Sequence, residues 1–219
     1  MLTRRTLLAA AVPSALPPAD ILIASLPDGK ITKAHWLDSI DAVAQPGSLW
    51  KPFLAAAHRG PNLRFHCDGT QCWLNRKHGW LDMPGALAQS CNQWFHQLYK
   101  TVPKPLHLLA LPDQESDDWP NWRTSPLILA KAYVELLARR TDYPLVMAGL
   151  RQAAEKGTAK PLGPNVLAKT GTGPSKLYSG DGWVFAATPA DMPTKLVLYR
   201  QRGVTGAQAA QALAKLKIL

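Results

Sequence analysis

Gly47-Ser48-Leu49-Trp50-Lys51-Pro52-Phe53 places a hydroxyl and an amine three residues apart at the start of an expected helix. On a helix, positions i and i+3 share a face, so Lys51 projects beside Ser48 from the next turn. Such a pair is a nucleophile with its own base. Pro46-Gly47 is turn chemistry, which puts Ser48 at the mouth of the helix rather than inside it. There its backbone N–H points outward without a helical partner, and the positive end of the helix dipole favours negative charge developing nearby. The spacing predicts a helix from Ser48 to about His58, stopped by Gly60-Pro61. Ser-x-x-Lys is short enough to recur by chance, so its weight comes from what accompanies it.

Outward from that stretch, Ile21–Ser25 reads as an apolar strand, Pro27-Asp28-Gly29 as a turn, and Lys30–Trp36 as a strand pairing back. Beyond it, residues 62–84 are turn-rich. Pro84 opens a helical pattern through Ala88, which breaks at Ser90-Cys91-Asn92 and resumes over Gln93–Tyr99 with Trp94, Phe95 and Leu98 on one side. The bland reading of that tripeptide is a helix cap at Ser90 with Asn92 bonding locally. Pro103–Pro126 is irregular, with Asp113, Glu115, Asp117 and Asp118 beside Trp119 and Trp122, and is expected as a surface loop. Ser125-Pro126 then caps the clearest helix, with Leu127, Ala130, Tyr133, Val134 and Leu137 on one stripe. A further helix over Leu145–Lys156 ends at Gly157. The segment Asn165–Gly173 begins as a strand and runs into two glycines, Trp183–Ala187 and Lys195–Arg200 are further strands, and a last helix spans about Gln208–Lys217.

The 219 residues support one domain, and 47% hydrophobic content suffices for its core. The net charge of +10 would suit nucleic acid, anionic lipid or an acidic polymer. Without a Lys/Arg run or a nucleic-acid signature, it reads as a solvated basic surface with no nucleic-acid partner. Met1-Leu2-Thr3-Arg4-Arg5 followed by an apolar stretch to Leu16 reads as a twin-arginine-like export signal over residues 1–19, too short to span a bilayer. A periplasmic domain over 20–219 is expected, tethered to the membrane only if the signal stays uncleaved. Cys67 and Cys72 bracket Asp68-Gly69-Thr70-Gln71 as a tight hairpin would, and in that compartment a Cys67–Cys72 disulfide is the first reading. The rival is a metal site from His66, Cys67, Cys72 and His78, whose spacing departs from the paired pattern usual for zinc. No metal and no cofactor are therefore expected. Cys91 is left over and expected to be buried.

Three motifs stand in one order: Ser48-x-x-Lys51, Ser90-x-Asn92 and Lys169-Thr170-Gly171. Together they resemble the penicillin-recognising serine acyltransferases, that is, penicillin-binding proteins and serine β-lactamases. The flanks add to the likeness: Ser125-Pro126-Leu127-Ile128-Leu129-Ala130-Lys131-Ala132-Tyr133, Glu155-Lys156-Gly157-Thr158-Ala159, Ala168-Lys169-Thr170-Gly171-Thr172-Gly173 and Asp181-Gly182-Trp183-Val184. These resemble transpeptidase domains more than β-lactamases, over about residues 20–219. The resemblance implies an α+β fold: an antiparallel sheet flanked by helices, built from 20–60 and 160–219, with a small mostly helical lobe from 61–159.

By that resemblance Ser48 forms an acyl-enzyme, Lys51 takes its proton, Lys169 supplies charge that helps keep Lys51 neutral, and Ser90 relays a proton to the leaving nitrogen. Asn92 orients the substrate peptide, Thr170 and Thr172 with Lys169 hold a terminal carboxylate, and Gly171 lets the strand approach the substrate. The backbone N–H groups of Ser48 and Thr172 are the expected oxyanion hole. The implied partners are D-Ala-D-Ala-like peptidoglycan stem peptides and β-lactams. Two departures stand out: Ser90 follows Ser48 closely for the family, and no Glu-x-x-Leu-Asn-like element follows Ser90, so β-lactam hydrolysis is not expected. The alternative reading is a non-catalytic peptidoglycan-binding or sensory relative.

Overall fold

In a computed structural model that describes residues 19–73, 77–102, 109, 111, 121–175 and 179–219, the chain is built on a five-stranded sheet. It enters through β1 (Ala19–Ser25) and turns back as β2 (Ile31–His35). A 3₁₀ turn over Gly47–Trp50 runs directly into α1 (Lys51–Ala57). A hairpin of β3 (Arg64–Cys67) and β4 (Gly79–Asp82) is followed by α2 (Met83–Ala88) and α3 (Asn92–Thr101). Next come α4 (Pro126–Ala138) and α5 (Pro144–Glu155), then β5 (Leu167–Gly173), β6 (Asp181–Thr188), β7 (Lys195–Arg202) and α6 (Gly206–Lys215). The expected pattern of strands before Ser48 and after Asn165 is present, with helices and one small hairpin between. The export-signal reading and residues Asp113, Glu115, Asp117, Asp118 and Trp119 lie outside the described residues. Among the described residues no helix is long and apolar enough to cross a membrane.

The strand order is β2-β1-β7-β6-β5, every pair antiparallel, so the first and last thirds of the chain share one sheet. Side chains alternate between faces along a strand. On β6 and β7 both faces are covered: Trp183, Phe185, Leu196 and Leu198 join the core cluster that α4 and the Gly47–Trp50 turn close, and Val184, Ala186, Val197 and Tyr199 pack toward Ala209, Ala210 and Leu213 of α6. Burial on both sides explains why these strands read as near-continuous apolar runs. By contrast β2 is exposed along its whole length and forms a sheet edge, where Lys33 and other polar residues discourage pairing with further chains. Local signals act as expected at α4, where the Ser125 hydroxyl accepts from the Ile128 N–H at 3.2 Å and Pro126 occupies the first turn.

Asp20 and Arg200 are cross-strand partners on β1 and β7, and Asp20 is fully buried. The Arg200 Nε donates to the carboxylate at 2.6 Å, and Arg200 also reaches Asp38 at 3.0 Å while lying over the rings of Trp36 and Trp183. Removing one side of such a pair strands the other charge in the interior. Asp20→Ala is expected to cost roughly 3–5 kcal/mol, read as a lower urea midpoint at unchanged slope. A loss below about 1 kcal/mol would show that Asp38 alone satisfies Arg200.

The Cys67–Cys72 disulfide is not formed, and none of the three cysteines is bridged to another. The tight hairpin that would have closed it is absent too. Cys67 pairs across the ladder with Gly79, so the loop runs over the eleven positions between them and Cys72 sits inside it rather than on the opposing strand. The register is pinned from α3, where Trp94 packs on Phe65 at a centroid distance of 5.3 Å and donates its indole N–H to the Leu81 carbonyl at 3.0 Å. Cys91 is buried, as expected.

Candidate active site

Ser48 sits on the 3₁₀ turn, and Lys51 is the residue at which that turn becomes α1. In 3₁₀ geometry residues i and i+3 stack almost over one another, which serves this pair better than a purely α-helical start. The turn is held from three sides. Tyr133 of α4 donates its hydroxyl to the Leu49 carbonyl at 2.8 Å, Trp50 donates its indole N–H to the Trp122 carbonyl at 3.0 Å, and β5 packs directly against it. That last contact requires two glycines. Gly47 has φ +57°, and a side chain on it would meet the Thr172 carbonyl oxygen; a Cβ on Gly171 would lie 2.3 Å from the Pro46 carbonyl oxygen. The bare backbone at Gly171 is thus demanded by the protein's own turn, which brings Ser48 to the edge of β5.

Ser90 reaches the site through an unusual helix end. The Cys91 N–H donates to the Ala86 carbonyl at 3.0 Å and the Ser90 N–H to the Leu87 carbonyl at 3.2 Å, the two bonds of a Schellman cap on α2. The left-handed position of that cap normally belongs to glycine, yet Ser90 occupies it with φ 53°. For a residue with a side chain this conformation costs about 1–2 kcal/mol. That conformation places the Ser90 hydroxyl, buried, between two amines, 2.8 Å from Lys169 Nζ and 3.3 Å from Lys51 Nζ. Asn92 starts α3 one residue beyond Cys91, and the expected Ser90 side-chain cap on that helix is absent.

Lys51 and Lys169 are both fully buried. Lys51 Nζ donates to the Ser90 carbonyl and to Asn92 Oδ1, each at 2.6 Å, and lies 5.3 Å from the Phe95 ring centroid. Burial pulls its pKa down to about 7, against a weaker opposing pull from the thiols of Cys91 and Cys72. Lys169 Nζ donates to the Thr170 carbonyl at 2.7 Å, and burial together with repulsion from Lys51 holds its pKa well below the usual amine range. Two amines bridged by one hydroxyl cannot both stay charged near neutrality without mutual cost, so a free base is available within the cluster. Ser90 can donate one proton and accept others, which lets it pass a proton between them.

A cleft of about 300 Å³ opens over this cluster, lined by Ser48, Ser90, Asn92, Thr170, Gly171 and Thr172 together with Trp73, Thr158, Thr205, Gly206 and Ala207. Every residue expected at the site from sequence lies in this cleft or immediately beneath it. The remainder were missed. Thr158 is held by its N–H donating to the Ala88 carbonyl at 3.1 Å, and its hydroxyl lies 2.6 Å from that of Thr170. In sequence it carries no role of its own and stands only within the 155–159 flank of the resemblance, as a hydroxyl after the helix stop at Gly157. Thr205–Ala207 form the start of α6, where Thr205 and Gln208 make a capping box and the Gly206 N–H donates to the Thr172 hydroxyl at 2.9 Å. The positive end of α6 therefore faces the cleft beside Thr172.

No protein-family profile and no curated protein sequence matches this chain. Solved structures do. The D,D-transpeptidase domain of a peptidoglycan glycosyltransferase from Eggerthella lenta is similar over 93% of this chain and 78% of that one, with TM-score 0.71 and 16% identity. PBP2 of Pseudomonas aeruginosa is similar over 91% of this chain and 70% of that one, with TM-score 0.71 and 15% identity. The transpeptidase domain of the FtsI4 D,D-transpeptidase from Legionella pneumophila is similar over 91% and 89%, with TM-score 0.61 and 22% identity. At these identities the likeness establishes the fold, which is the transpeptidase and β-lactamase-like fold.

Proposed function

We propose that this chain, on its transpeptidase fold, is a penicillin-sensitive serine acyltransferase that acts on D-Ala-D-Ala-like peptidoglycan stem peptides through an acyl-enzyme on Ser48. The observation that carries the reading is the Ser90 hydroxyl bridging the buried amines of Lys51 and Lys169 in the cleft that Ser48 lines. A binding module has no need of two desolvated amines with depressed pKa values, whereas a proton relay does.

In this reading Ser48 Oγ attacks the scissile carbonyl carbon as its proton passes to neutral Lys51. The N–H groups of Ser48 and Thr172 hold the oxyanion. As the carbon–nitrogen bond breaks, Ser90 delivers a proton to the departing nitrogen and is refilled from the amine cluster. A substrate carboxylate is held by Lys169, by the Thr170/Thr158 hydroxyl pair and Thr172, and by the N-terminal end of α6. Asn92 is tied by its carbonyl oxygen to Lys51, so its amide NH₂ group is left to orient the substrate. Peptidoglycan lies outside the cytoplasm, and the Met1–Leu16 pattern supports export to it.

The test is labelling of the folded chain with a penicillin, followed by intact mass measurement. The expected result is one adduct per chain carrying the whole drug mass, because the opened lactam keeps its leaving nitrogen. Release of terminal D-Ala from a stem-peptide analogue would accompany it. A folded sample that takes up no drug at saturating concentration would refute the acyltransferase reading and leave the non-catalytic one.

A further inference from the structure

The segments bordering the Ser90-x-Asn92 element bring four ligand-type side chains to one point. Cys67 ends β3, Cys72 lies in the following loop, His78 immediately precedes β4, and Cys91 is the middle residue of the active-site tripeptide. Their ligand atoms all lie within 4.8 Å of one another. His78 Nδ1 is 3.4 Å from both Cys67 Sγ and Cys72 Sγ, and Cys72 Sγ is 3.8 Å from Cys91 Sγ. Tetrahedral zinc with Zn–S of about 2.3 Å and Zn–N of about 2.0–2.1 Å has S–S edges near 3.8 Å and S–N edges near 3.5 Å. Those three separations, out of six, match such edges, all six fall within 4.8 Å, and the sulfur–sulfur distance is far from the roughly 2.05 Å of a disulfide.

We propose that Cys67, Cys72, His78 and Cys91 form a closed structural zinc site that fixes the Ser90–Asn92 turn from behind. Three thiolates and one imidazole fill four tetrahedral positions and leave none for substrate or water, as in structural zinc sites. The soft, sulfur-rich set suits zinc rather than calcium or magnesium, and zinc's lack of redox chemistry leaves the neighbouring relay undisturbed. His66, considered a ligand from sequence, is elsewhere: it packs on Trp80 at 5.4 Å between centroids. The loop is pre-shaped around the cluster, since Asp68 caps Thr70, and Gln93 of α3 joins the Gly69 N–H at 3.2 Å to Asp68 at 2.9 Å. Cys91 cannot move without carrying Ser90 and Asn92 with it. A metal there would stiffen a turn whose left-handed serine is otherwise strained.

The full chain, purified without chelator, should carry about one zinc per molecule by elemental analysis. Cobalt substitution should produce the thiolate-to-metal charge-transfer absorption and the strong visible bands of a tetrahedral sulfur-rich site. Cys72→Ser and His78→Ala, both outside the described sheet, should lose that metal, and the cobalt spectrum of the histidine variant should change even if its fold is weakened. The effect on the turn rests on the acyltransferase reading: in metal-depleted protein, penicillin acylation should slow by roughly 10²-fold, the penalty for misplacing a catalytic group by about an ångström. Metal-free protein with three titratable thiols, a disulfide among them, or another metal at unit stoichiometry would overturn the zinc assignment. Zinc content is read without any drug, so zinc-bound protein that ignores penicillin would fail only the function, and metal-free protein that takes penicillin would fail only this site.

Discussion

Ser48→Ala is expected to abolish the covalent penicillin adduct and to lower turnover of a stem-peptide analogue by roughly 10⁴–10⁶-fold, with the fold intact. The loss should be this large because the hydroxyl forms the new bond, and among the described residues the serines lining the cleft are Ser48 and Ser90. Ser90 cannot substitute: its Oγ is buried between the two amines. The stability cost should stay within about 0.5 kcal/mol, since Ser48 is half-buried at the edge of the cleft and the turn is held by Tyr133, Trp50 and Gly171 instead. Intact mass and thermal unfolding on the same sample check both statements. An adduct that persists in Ser48→Ala would place the nucleophile elsewhere.

Lys51→Met is expected to slow acylation by about 10²–10⁴-fold, the usual contribution of a positioned general base. Methionine keeps much of the buried volume and brings no charge, so the variant reads the amine rather than a cavity. The sign of the pH dependence follows from the same group. Lys51 is competent when neutral, and burial brings its pKa to about 7. In the wild type, acylation should therefore rise as pH increases through about 7 and level off above it, while Lys51→Met should lose that rise. The groups around the amine include Ser90, Asn92, Phe95, Cys72 and Cys91, and a charge on Lys51 in turn depresses the pKa of Lys169. Stopped-flow measurement with a chromogenic penicillin across pH 5.5–9 on the order of half-unit steps would check it. A flat profile in the wild type would remove Lys51 as the base.

Local chemistry made much of this protein legible in its sequence. Ser125-Pro126 announces α4 because a hydroxyl cap and a missing N–H both act within one turn. The β6 and β7 strands announce themselves because burial on both faces leaves no polar alternation. Ser48-x-x-Lys51, Ser90-x-Asn92 and Lys169-Thr170-Gly171 are short motifs whose order, rather than any single spacing, marks the site. The helix and strand readings depend on residues within a few positions of one another, whereas the site reading depends on the order of three such short motifs along the chain.

What tertiary structure alone decided depends on contacts between distant segments. The reading of Cys67 and Cys72 as a hairpin disulfide failed because strand register is set from outside, by Trp94 of α3 packing on Phe65 and bonding to Leu81. That register carries Cys72 into the loop and toward His78 and Cys91. The left-handed turn at Ser90 was hidden because serine gives no sign of positive φ; the Schellman bonds to Ala86 and Leu87 and the two amines hold it there. Thr158 and the start of α6 join the cleft only once β5 has paired with β6 and packed against the 3₁₀ turn. Sequence by itself determined the class of fold and singled out residues that this fold brings together at one cleft. The depressed amines, the shared hydroxyl and the thiol–imidazole cluster were decided by tertiary packing, because desolvation and ångström-scale separations exist only where remote parts of the chain close on one another.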